Sequence, residues 1–293
     1  MSSSSALGFT RVLQDSISIE DEVWSYYVSK LPHPSTLGPQ KLIKSISVVS
    51  NNEKQQITLR FKASSSNRAV SFYELDRFIS ISFADFRLQV LMQSSGGENR
   101  ETKPATARES SDYIVKILRA GIILNDVEYN FYGHSNSQLK SRTCFLFADS
   151  KLNIRRMVES LGDFSKMKTV AKLAKRIGLL FSSAKVAMRL DPARCQDIPD
   201  IETNEYIFTD GCGLISPHFA RDLARRLKIV YRNIRYTPSV FQIRYRGYKG
   251  VLMLDLTMKD GTLAKFRKSM KKFSGGNDYS FSVVEYSKVS SLF

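Results

Sequence analysis

The sequence predicts an α+β fold, with strand-like segments towards both ends of the chain and helix-like segments in its middle. Residues 41–50 and 55–64 have the composition of two paired strands, residues 161–190 carry an apolar period typical of helices, and residues 240–257 return to strand alternation. At 293 residues, with 42% hydrophobic and 11% aromatic residues, the chain can bury a substantial core.

The charge of the chain favours an acidic partner. It holds 44 Lys and Arg against 28 Asp and Glu, a net charge of +16, and nucleic acid is the usual partner of such a protein. The first 100 residues contribute only 11 − 9 = +2 of this. Between Arg225 and Lys272, by contrast, 14 Lys and Arg face 2 Asp. The basic surface is therefore expected in the later two-thirds of the chain.

Cysteine and histidine usage argues against a zinc site. Three cysteines and three histidines are scattered along the chain without a paired spacing, as suits reduced thiols in the cytosol or nucleus. The N-terminus lacks the apolar core of a signal peptide, and no apolar run is long enough to span a bilayer. The expected localisation is intracellular, either cytoplasmic or nuclear.

The N-terminal region, residues 1–93, is expected to be a mixed α/β region. Residues 9–30 show helix-like spacing of apolar side chains. The two strands that follow read as a hairpin turning at Asn51-Asn52-Glu53, and residues 68–93 as a helix or turn followed by a strand.

Residues 94–111 are expected to form a flexible loop or linker, because they contain Ser, Gly, Pro and charges of both signs and show no regular spacing of apolar residues. A helix after them is expected to end at Gly121, followed by two strands that turn at Asn125-Asp126.

The next loop, Ser135 to Gln138, offers short hydrogen-bonding side chains and is followed by Lys140 and Arg142. Such a loop can hold phosphate oxygens or cap its own backbone. The residues themselves leave both interpretations open.

Residues 161–190 predict a basic helix with Asp163 or Ser165 as its cap and Gly178 at its end. From 166 to 194 the chain has 8 Lys and Arg and a single Asp. A charge run is often only a solvated helix face, but one of a single sign also suits RNA contact. The candidate RNA-binding residues here are Lys168, Lys172, Lys175 and Arg176.

The string FTDGCGLIS, which begins at Phe208, places glycines where the chain must reverse. Gly211 and Gly213 permit backbone conformations closed to other residues. Ser216 as N-cap and Pro217 as the first helical residue then predict a helix.

A second glycine-containing string, VFQIRYRGYKGVLMLDLT, predicts a β-hairpin in which polar and apolar residues alternate from Phe241 to Arg246. Gly247 and Gly250 bracket two residues, so we expect the turn to present Lys249 at its tip. A lone lysine at a hairpin tip is usually a solvated surface residue. On a rigid turn it can instead supply a fixed positive charge beside a triphosphate.

Several of these strings resemble the eukaryotic cellular RNA-dependent RNA polymerases of RNA silencing. FTDGCGLIS, QIRYRGYKGVL and FRKSMKKF look like parts of the first of the two barrels of that family, and YGHSNSQLKSRTCFLF and VAKLAKRIGLLFS are similar to strings that precede it. The resemblance extends over residues 77–286. It implies that the C-terminal region is the first of two double-psi β-barrels that meet at the active site.

The resemblance also implies roles for individual residues. Lys249 and Lys272 stand where the active-site lysines of the family are expected, as nucleotide or phosphate contacts. The RNA-binding candidates beside them are Arg244, Arg246 and Arg267. One departure is Lys268, where the family string more often has proline.

A larger departure concerns metal binding. The second barrel of the family brings three aspartates in a DxDGD-type loop that bind magnesium, and no such string occurs in this sequence. Two-metal phosphoryl transfer needs clustered carboxylates. We therefore expect Mg²⁺ in the full polymerase without identifiable ligands in this chain, and we interpret the chain as part of a truncated or incomplete polymerase.

The functional prediction is RNA-directed RNA polymerase activity, with single-stranded RNA, or DNA as the alternative, as template and nucleoside triphosphates as substrates. The first alternative is a non-catalytic RNA-binding remnant of such a polymerase, and a weaker one is a basic protein of ribosomes or chromatin. The predicted regions are 1–93, the linker 94–111, a helix-rich basic region 112–200 and the first barrel 201–293.

Overall fold

The computed structural model describes residues 11–13, 24–26, 42–51, 54–63, 67–91, 102–258, 261–276 and 278–288. The chain divides into two compact units. The first comprises Met1–Ser65 and Val70–Arg156, and the second Ser66–Ala69 and Met157–Phe293. The four regions predicted from sequence differ from these units, and as a domain division they stay a prediction.

The first unit contains an eight-stranded sheet, two whole helices, the first part of a third helix and further short elements. Its elements are β1 (Arg11–Leu13), β2 (Trp24–Tyr26), β3 (Leu42–Asn51), β4 (Lys54–Ala63), β5 (Phe78–Ser82), β6 (Gln89–Leu91), β7 (Thr102–Pro104), α1 (Ala107–Ala120), β8 (Ile122–Leu124), β9 (Val127–Gly133), α2 (Asn136–Lys140), β10 (Thr143–Phe147) and α3 (Lys151–Leu161), within which the division falls. The sheet order is β1-β4-β3-β5-β10-β9-β8-β2, parallel at β3–β5 and β2–β8.

The β3–β4 hairpin confirms the first predicted strand pair. Its register runs from Leu42 opposite Ala63 to Asn51 opposite Lys54. Alternate residues such as Ile46 and Leu59 are buried, because one face of the pair meets the core of the unit. The turn residues 52 and 53 lie outside the described part of the chain.

The helix α1 and the strands after it also follow the prediction. Thr106 and Glu109 form a capping box at its start, and the helix ends at Gly121, where φ is +96°. Asn125 and Asp126 both have positive φ, as a two-residue hairpin turn between β8 and β9 requires.

Three sequence predictions need correction. The stretch 94–111 is not all loop, because β7 and the first turn of α1 occupy much of residues 102–111, and residues 92–101 lie outside the described part. Within 9–30 the described residues form the short strands β1 and β2 instead of a helix. The region 112–200 is mixed, since it holds six strands among its helices.

The second unit is built on a seven-stranded sheet. Its elements are β11 (Gly162–Asp163), α4 (Val170–Ile177), β12 (Lys185–Arg189), β13 (Cys195–Ile198), β14 (Glu202–Thr203), β15 (Tyr206–Ile207), β16 (Cys212–Ile215), α5 (Pro217–Arg226), β17 (Val230–Tyr231), β18 (Ile234–Arg235), β19 (Val240–Tyr245), β20 (Tyr248–Leu254), β21 (Ala264–Arg267), β22 (Ser274–Gly275) and β23 (Ser280–Tyr286). The sheet order is β12-β23-β19-β20-β16-β21-β13, parallel at β13–β21 and β16–β20. Short 3₁₀ turns of this unit span Pro192–Arg194 and Lys268–Met270, and another, in the first unit, spans Leu75–Arg77.

The core of the second unit lies between α5 and the sheet. Ser216 caps the helix, accepting a hydrogen bond from the backbone N–H of Phe219 at 3.3 Å, as predicted. Phe219 packs edge-on against Phe281 of β23, with 5.1 Å between ring centroids. The alternation of β19 is also confirmed, with Phe241 and Tyr245 buried. This packing fixes the hairpin that carries the candidate site.

The helix α4 departs from its prediction at the N-terminus. Its cap is Thr169, which accepts from the N–H of Lys172, whereas Asp163 closes a turn further upstream by accepting from Ser165. Val170, the first residue of the helix, is 84% exposed. The helix contains no fully buried residue, so it presents a largely solvated basic surface.

Two further observations bear on the sequence predictions. All three cysteines are free, and Cys144 is buried. None of the helices in the described part of the chain combines the length and apolarity needed to cross a lipid bilayer.

Candidate functional site

The turn between β19 and β20 differs from the predicted one. Its two central residues are Arg246 and Gly247, with φ of 41° and 87°. Lys249 is therefore not at the tip; it lies on β20, directly opposite Arg244 on β19. A side chain on a paired strand has a direction set by the sheet, so this position orients Lys249 more firmly than a turn would.

Close backbone packing brings three of the sequence strings together at this hairpin. A Cβ on Gly250 would lie 2.1 Å from the carbonyl oxygen of Gly211, and one on Gly247 would lie 2.0 Å from that of Phe273. The backbone N–H of Lys272 also donates to the carbonyl of Gly247 at 2.9 Å. The glycines thus allow the FTDGCGLIS loop and the SMKKF string to pack directly on the hairpin.

This packing assembles a group of positive charges around Lys249. Burial lowers the pKa of Lys249, and Arg244, Lys272, Lys175 and Arg176 lower it further, in that order. All four neighbours carry the same sign, and within the described residues no carboxylate forms an ion pair with Lys249. We call these five residues the cationic cluster. A bound anion would relieve their mutual repulsion.

Two arginines of the cationic cluster have hydrogen-bonding capacity to spare. The Nε atoms of Arg176 and Arg244 are buried and have no hydrogen-bond partner among the described residues. Burial also lowers the pKa of Arg244. Guanidinium groups bind phosphate oxygens in a forked geometry, so such donors suit a polyphosphate.

The other candidates of the second unit are not among the charges that lower the pKa of Lys249, although Arg246 lines the same cavity as Arg244 and Lys249. The guanidinium of Arg246 stacks over the ring of Tyr279 at 5.1 Å from its centroid. Arg267 donates from Nη1 to the carbonyl of Pro199 at 2.5 Å. Lys168 and Lys172 are exposed and are not among the charges that shift the pKa of Lys249.

Lys140 and Arg142 belong to the first unit, where both are exposed. The adjacent loop caps its own backbone: Ser135 accepts from the N–H of Gln138 at 3.2 Å, and Gln138 accepts from the N–H of Ser135 at 2.9 Å. Of the two interpretations of this loop, the structure favours the capping one.

One partly buried network was missed by sequence reasoning. The carboxylate of Asp200 accepts from the backbone N–H of Ser269 at 2.8 Å and from its hydroxyl at 2.6 Å, and also from Thr209 at 3.1 Å. The hydroxyl of Ser269 in turn accepts from the N–H of Gly211 at 3.0 Å. Partial burial raises the pKa of Asp200, but these hydrogen bonds outweigh it and hold the pKa below its usual value.

This network ties the FTDGCGLIS loop to the 3₁₀ turn that precedes Lys272. Lys272 itself donates from Nζ to the carbonyl of Ser269 at 2.5 Å, so its ammonium is positioned by the same turn. Asp200 lies in an acidic connector that gives no sequence signal of such a role. Its hydrogen-bond partners Thr209 and Ser269 lie nine and 69 residues further along the chain.

The described residues offer no candidate metal centre. No three His, Cys, Asp or Glu side chains among them come together in a way that could hold an ion. Asp255 accepts from Thr257, and Asp197 accepts from the hydroxyl of Tyr248 at 2.6 Å. The chemistry available at the site is therefore that of fixed positive charge and hydrogen-bond donors.

Comparison with known proteins gives a consistent match. The family model for RNA dependent RNA polymerase matches residues 55–293. RNA-dependent RNA polymerase 1 of Arabidopsis thaliana is 33% identical over 219 residues, covering 72% of this chain and 19% of that protein. RNA-dependent RNA polymerase 6 of the same plant is 35% identical over 220 residues, covering 71% of this chain and 18% of that protein.

A solved structure shares the fold. The RNA dependent RNA polymerase QDE-1 from Thielavia terrestris superposes with a TM-score of 0.62 at 17% identity, covering 85% of this chain and 28% of that one. The chain thus spans about a fifth of the length of the Arabidopsis relatives.

Proposed function

The chain belongs to the RNA-dependent RNA polymerase family, and from this premise we propose that it provides the nucleotide- and RNA-holding part of a template-directed RNA polymerase of RNA silencing. The reaction is attack of a 3′-hydroxyl on the α-phosphate of a nucleoside triphosphate, with pyrophosphate leaving. The observation that carries the proposal is the cationic cluster, in which Lys249 lies opposite Arg244 on the paired strand and four positive charges lower its pKa. Unneutralised charge held at this density suits a triphosphate.

Within this function the residues divide by position. Lys249 and Lys272 hold the triphosphate, because the strand and the 3₁₀ turn fix them. Arg244, Lys175 and Arg176 hold phosphate groups of the triphosphate or of the adjacent RNA backbone. The remaining candidates contact RNA; these are Lys168, Lys172, Arg246 and Arg267 in the second unit and Lys140 and Arg142 in the first. The seven-stranded sheet corresponds to the first double-psi barrel of the family.

Magnesium is part of the proposal for the complete polymerase. Divalent metal would stabilise the charge that develops on the transferred phosphate. The described residues do not fit such a site, so its aspartates would come from a second barrel outside these residues. The proposed template is single-stranded RNA, with DNA as the alternative, and the proposed localisation is the cytoplasm or nucleus.

RNA binding tests the proposal directly. We expect the chain to bind single-stranded RNA with little sequence preference and with an affinity that falls steeply as salt rises, because phosphate contacts release counterions. The Lys175→Ala, Arg176→Ala double variant should lower the slope of log affinity against log salt by about 2, or about 1 per cation. The measurement is fluorescence anisotropy at several salt concentrations.

The matched control is Arg108→Ala, which removes an exposed charge from α1 of the first unit and should leave the slope unchanged. Binding that does not respond to salt between low and physiological ionic strength would contradict the proposed basic surface.

The second candidate function is RNA binding without catalysis, which the absence of a metal-holding group among the described residues favours. We expect the purified chain alone to incorporate no labelled nucleotide on an RNA template with magnesium or manganese, since the clustered carboxylates would come from elsewhere. Addition of a polypeptide carrying the second barrel should restore incorporation if the chain serves a polymerase. Incorporation by the chain alone, lost on a single substitution within it, would show that the catalytic carboxylates lie in this sequence.

A further inference from the structure

A short hairpin of the second unit combines exposed aromatic residues with negative charge. Residues 199–210, here called the acidic hairpin, carry four Asp and Glu and no Lys or Arg, although the whole chain has a net charge of +16. The strands β14 and β15 form it, turning at two residues of positive φ, Asn204 and Glu205. Tyr206 and Phe208 are each 64% exposed, and their rings meet edge-on at 4.7 Å.

The acidic hairpin is held firmly at its base. The N–H of Phe208 donates to the carbonyl of Ile201 at 3.0 Å, and the N–H of Ile201 donates to the hydroxyl of Thr209 at 2.9 Å. Thr209 and Asp200 belong to the network with Ser269 described above. Its apolar side chains are therefore presented in a fixed arrangement. We call the exposed rings of Tyr206 and Phe208 the aromatic ridge. Because the aromatic ridge is held in place, its side chains need little ordering on binding, and this favours a docking role.

Negative charge makes nucleic acid an unfavourable occupant of this ridge. A partner that matches it would carry apolar side chains surrounded by positive charge. The chain itself carries such a surface.

The complementary surface lies in residues 225–235, here called the basic hairpin, which carry five Lys and Arg and no Asp or Glu. The strands β17 and β18 form it, again with a two-residue turn of positive φ, at Arg232 and Asn233. Val230 and Ile234 are exposed, Ile234 by 71%. Ile229 is buried in the core of the unit and anchors the hairpin.

We propose that two copies of this chain associate through these two surfaces, with the acidic hairpin of one copy against the basic hairpin of the other. The aromatic ridge of Tyr206 and Phe208 would cover the exposed Val230 and Ile234. Glu202 and Glu205 would face Arg232 and Arg235. Each copy carries both halves, so a dimer with two-fold symmetry makes the contact twice.

Charge exchange tests this pairing. The purified 293-residue chain should associate in analytical ultracentrifugation at low salt and dissociate as salt rises. The variant Glu202→Lys, Glu205→Lys places positive charges opposite Arg232 and Arg235, and the variant Arg232→Glu, Arg235→Glu places negative charges opposite Glu202 and Glu205. Each variant alone should sediment as a monomer at concentrations where the wild type associates, because like charges would face each other.

An equimolar mixture of the two variants should associate again. In a dimer of one copy of each variant, both contacts have opposite charges at positions 202 and 205 on one side and 232 and 235 on the other. The formal net charges of the two variants, 16 + 4 = +20 and 16 − 4 = +12, are both strongly positive. Attraction between opposite net charges therefore cannot cause their association. Recovery in the mixture also shows that both variants are folded. The matched control, Asp85→Lys with Glu159→Lys, reverses two exposed charges elsewhere and should associate like the wild type.

Three results would overturn the proposal. One is a wild-type chain that stays monomeric at every concentration at low salt. Another is association of either hairpin variant that equals that of the wild type. The last is a mixture that remains monomeric. The double variant Tyr206→Ser, Phe208→Ser, which keeps every charge, should weaken association as well, and unchanged association would contradict the apolar part of the contact.

Discussion

Replacing Lys249 or Lys272 by alanine, in a complete polymerase that carries this segment, is expected to slow nucleotide incorporation by about a hundredfold to a thousandfold. A fixed positive charge offsets negative charge that develops on the leaving pyrophosphate, and loss of one preorganised stabilising group typically costs about 2.7–4 kcal/mol of barrier. Strand pairing orients Lys249, and a hydrogen bond to the carbonyl of Ser269 orients Lys272. The measurement is the rate of incorporation at saturating RNA and nucleotide.

Lys168→Ala is the matched control, because Lys168 is exposed and does not contribute to the lowered pKa of Lys249. It should weaken RNA binding modestly and leave the saturated rate nearly unchanged. Lys175→Ala was grouped with Lys168 by sequence alone, but the structure places Lys175 in the cationic cluster. We therefore expect it to affect both affinity and rate. Wild-type turnover by the Lys249→Ala variant would make that lysine a structural strand residue.

Much of the fold could be predicted because its signals are local. The β3–β4 hairpin, the end of α1 at Gly121 and the cap of α5 at Ser216 each depend on a few adjacent residues. The alternation of buried and partly exposed residues along β19 was predicted equally well. The helix-like spacing of apolar residues was misleading at 9–30, where the described residues form short strands that pair with partners far along the chain.

The set of site residues stays a prediction, and the sequence did not predict their geometry. The lysine and arginine candidates were found from charge and resemblance, and these signals contain no information on side-chain direction. The position of the turn was wrong by two residues, because Gly250 was taken as a turn glycine when its absent Cβ makes room for the backbone of Gly211. The role of Asp200 depends on Ser269, 69 residues away, and spacing alone does not reveal such a contact.

Substituting Gly250 by alanine is expected to destabilise the second unit severely, although its backbone conformation is an ordinary one. The added Cβ would lie 2.1 Å from the carbonyl oxygen of Gly211. That oxygen also accepts the N–H of Val251 at 2.9 Å, so moving it away breaks a hydrogen bond between the loop and β20. Overpacking against backbone together with a lost hydrogen bond costs roughly 2–4 kcal/mol.

Hydrogen exchange at the amides of β16 and β20 measures this cost, because it reports the free energy of local opening in the unit that carries the change. The matched control is Gly211→Ala, where φ is +72° but no atom lies within 4 Å of the added Cβ. Only backbone strain acts there, about 1–2 kcal/mol. Gly250→Ala should therefore open β20 more readily than Gly211→Ala does. If both variants exchange alike, the FTDGCGLIS loop does not pack on the hairpin as described, and the cationic cluster lacks the support that holds Lys249 in place.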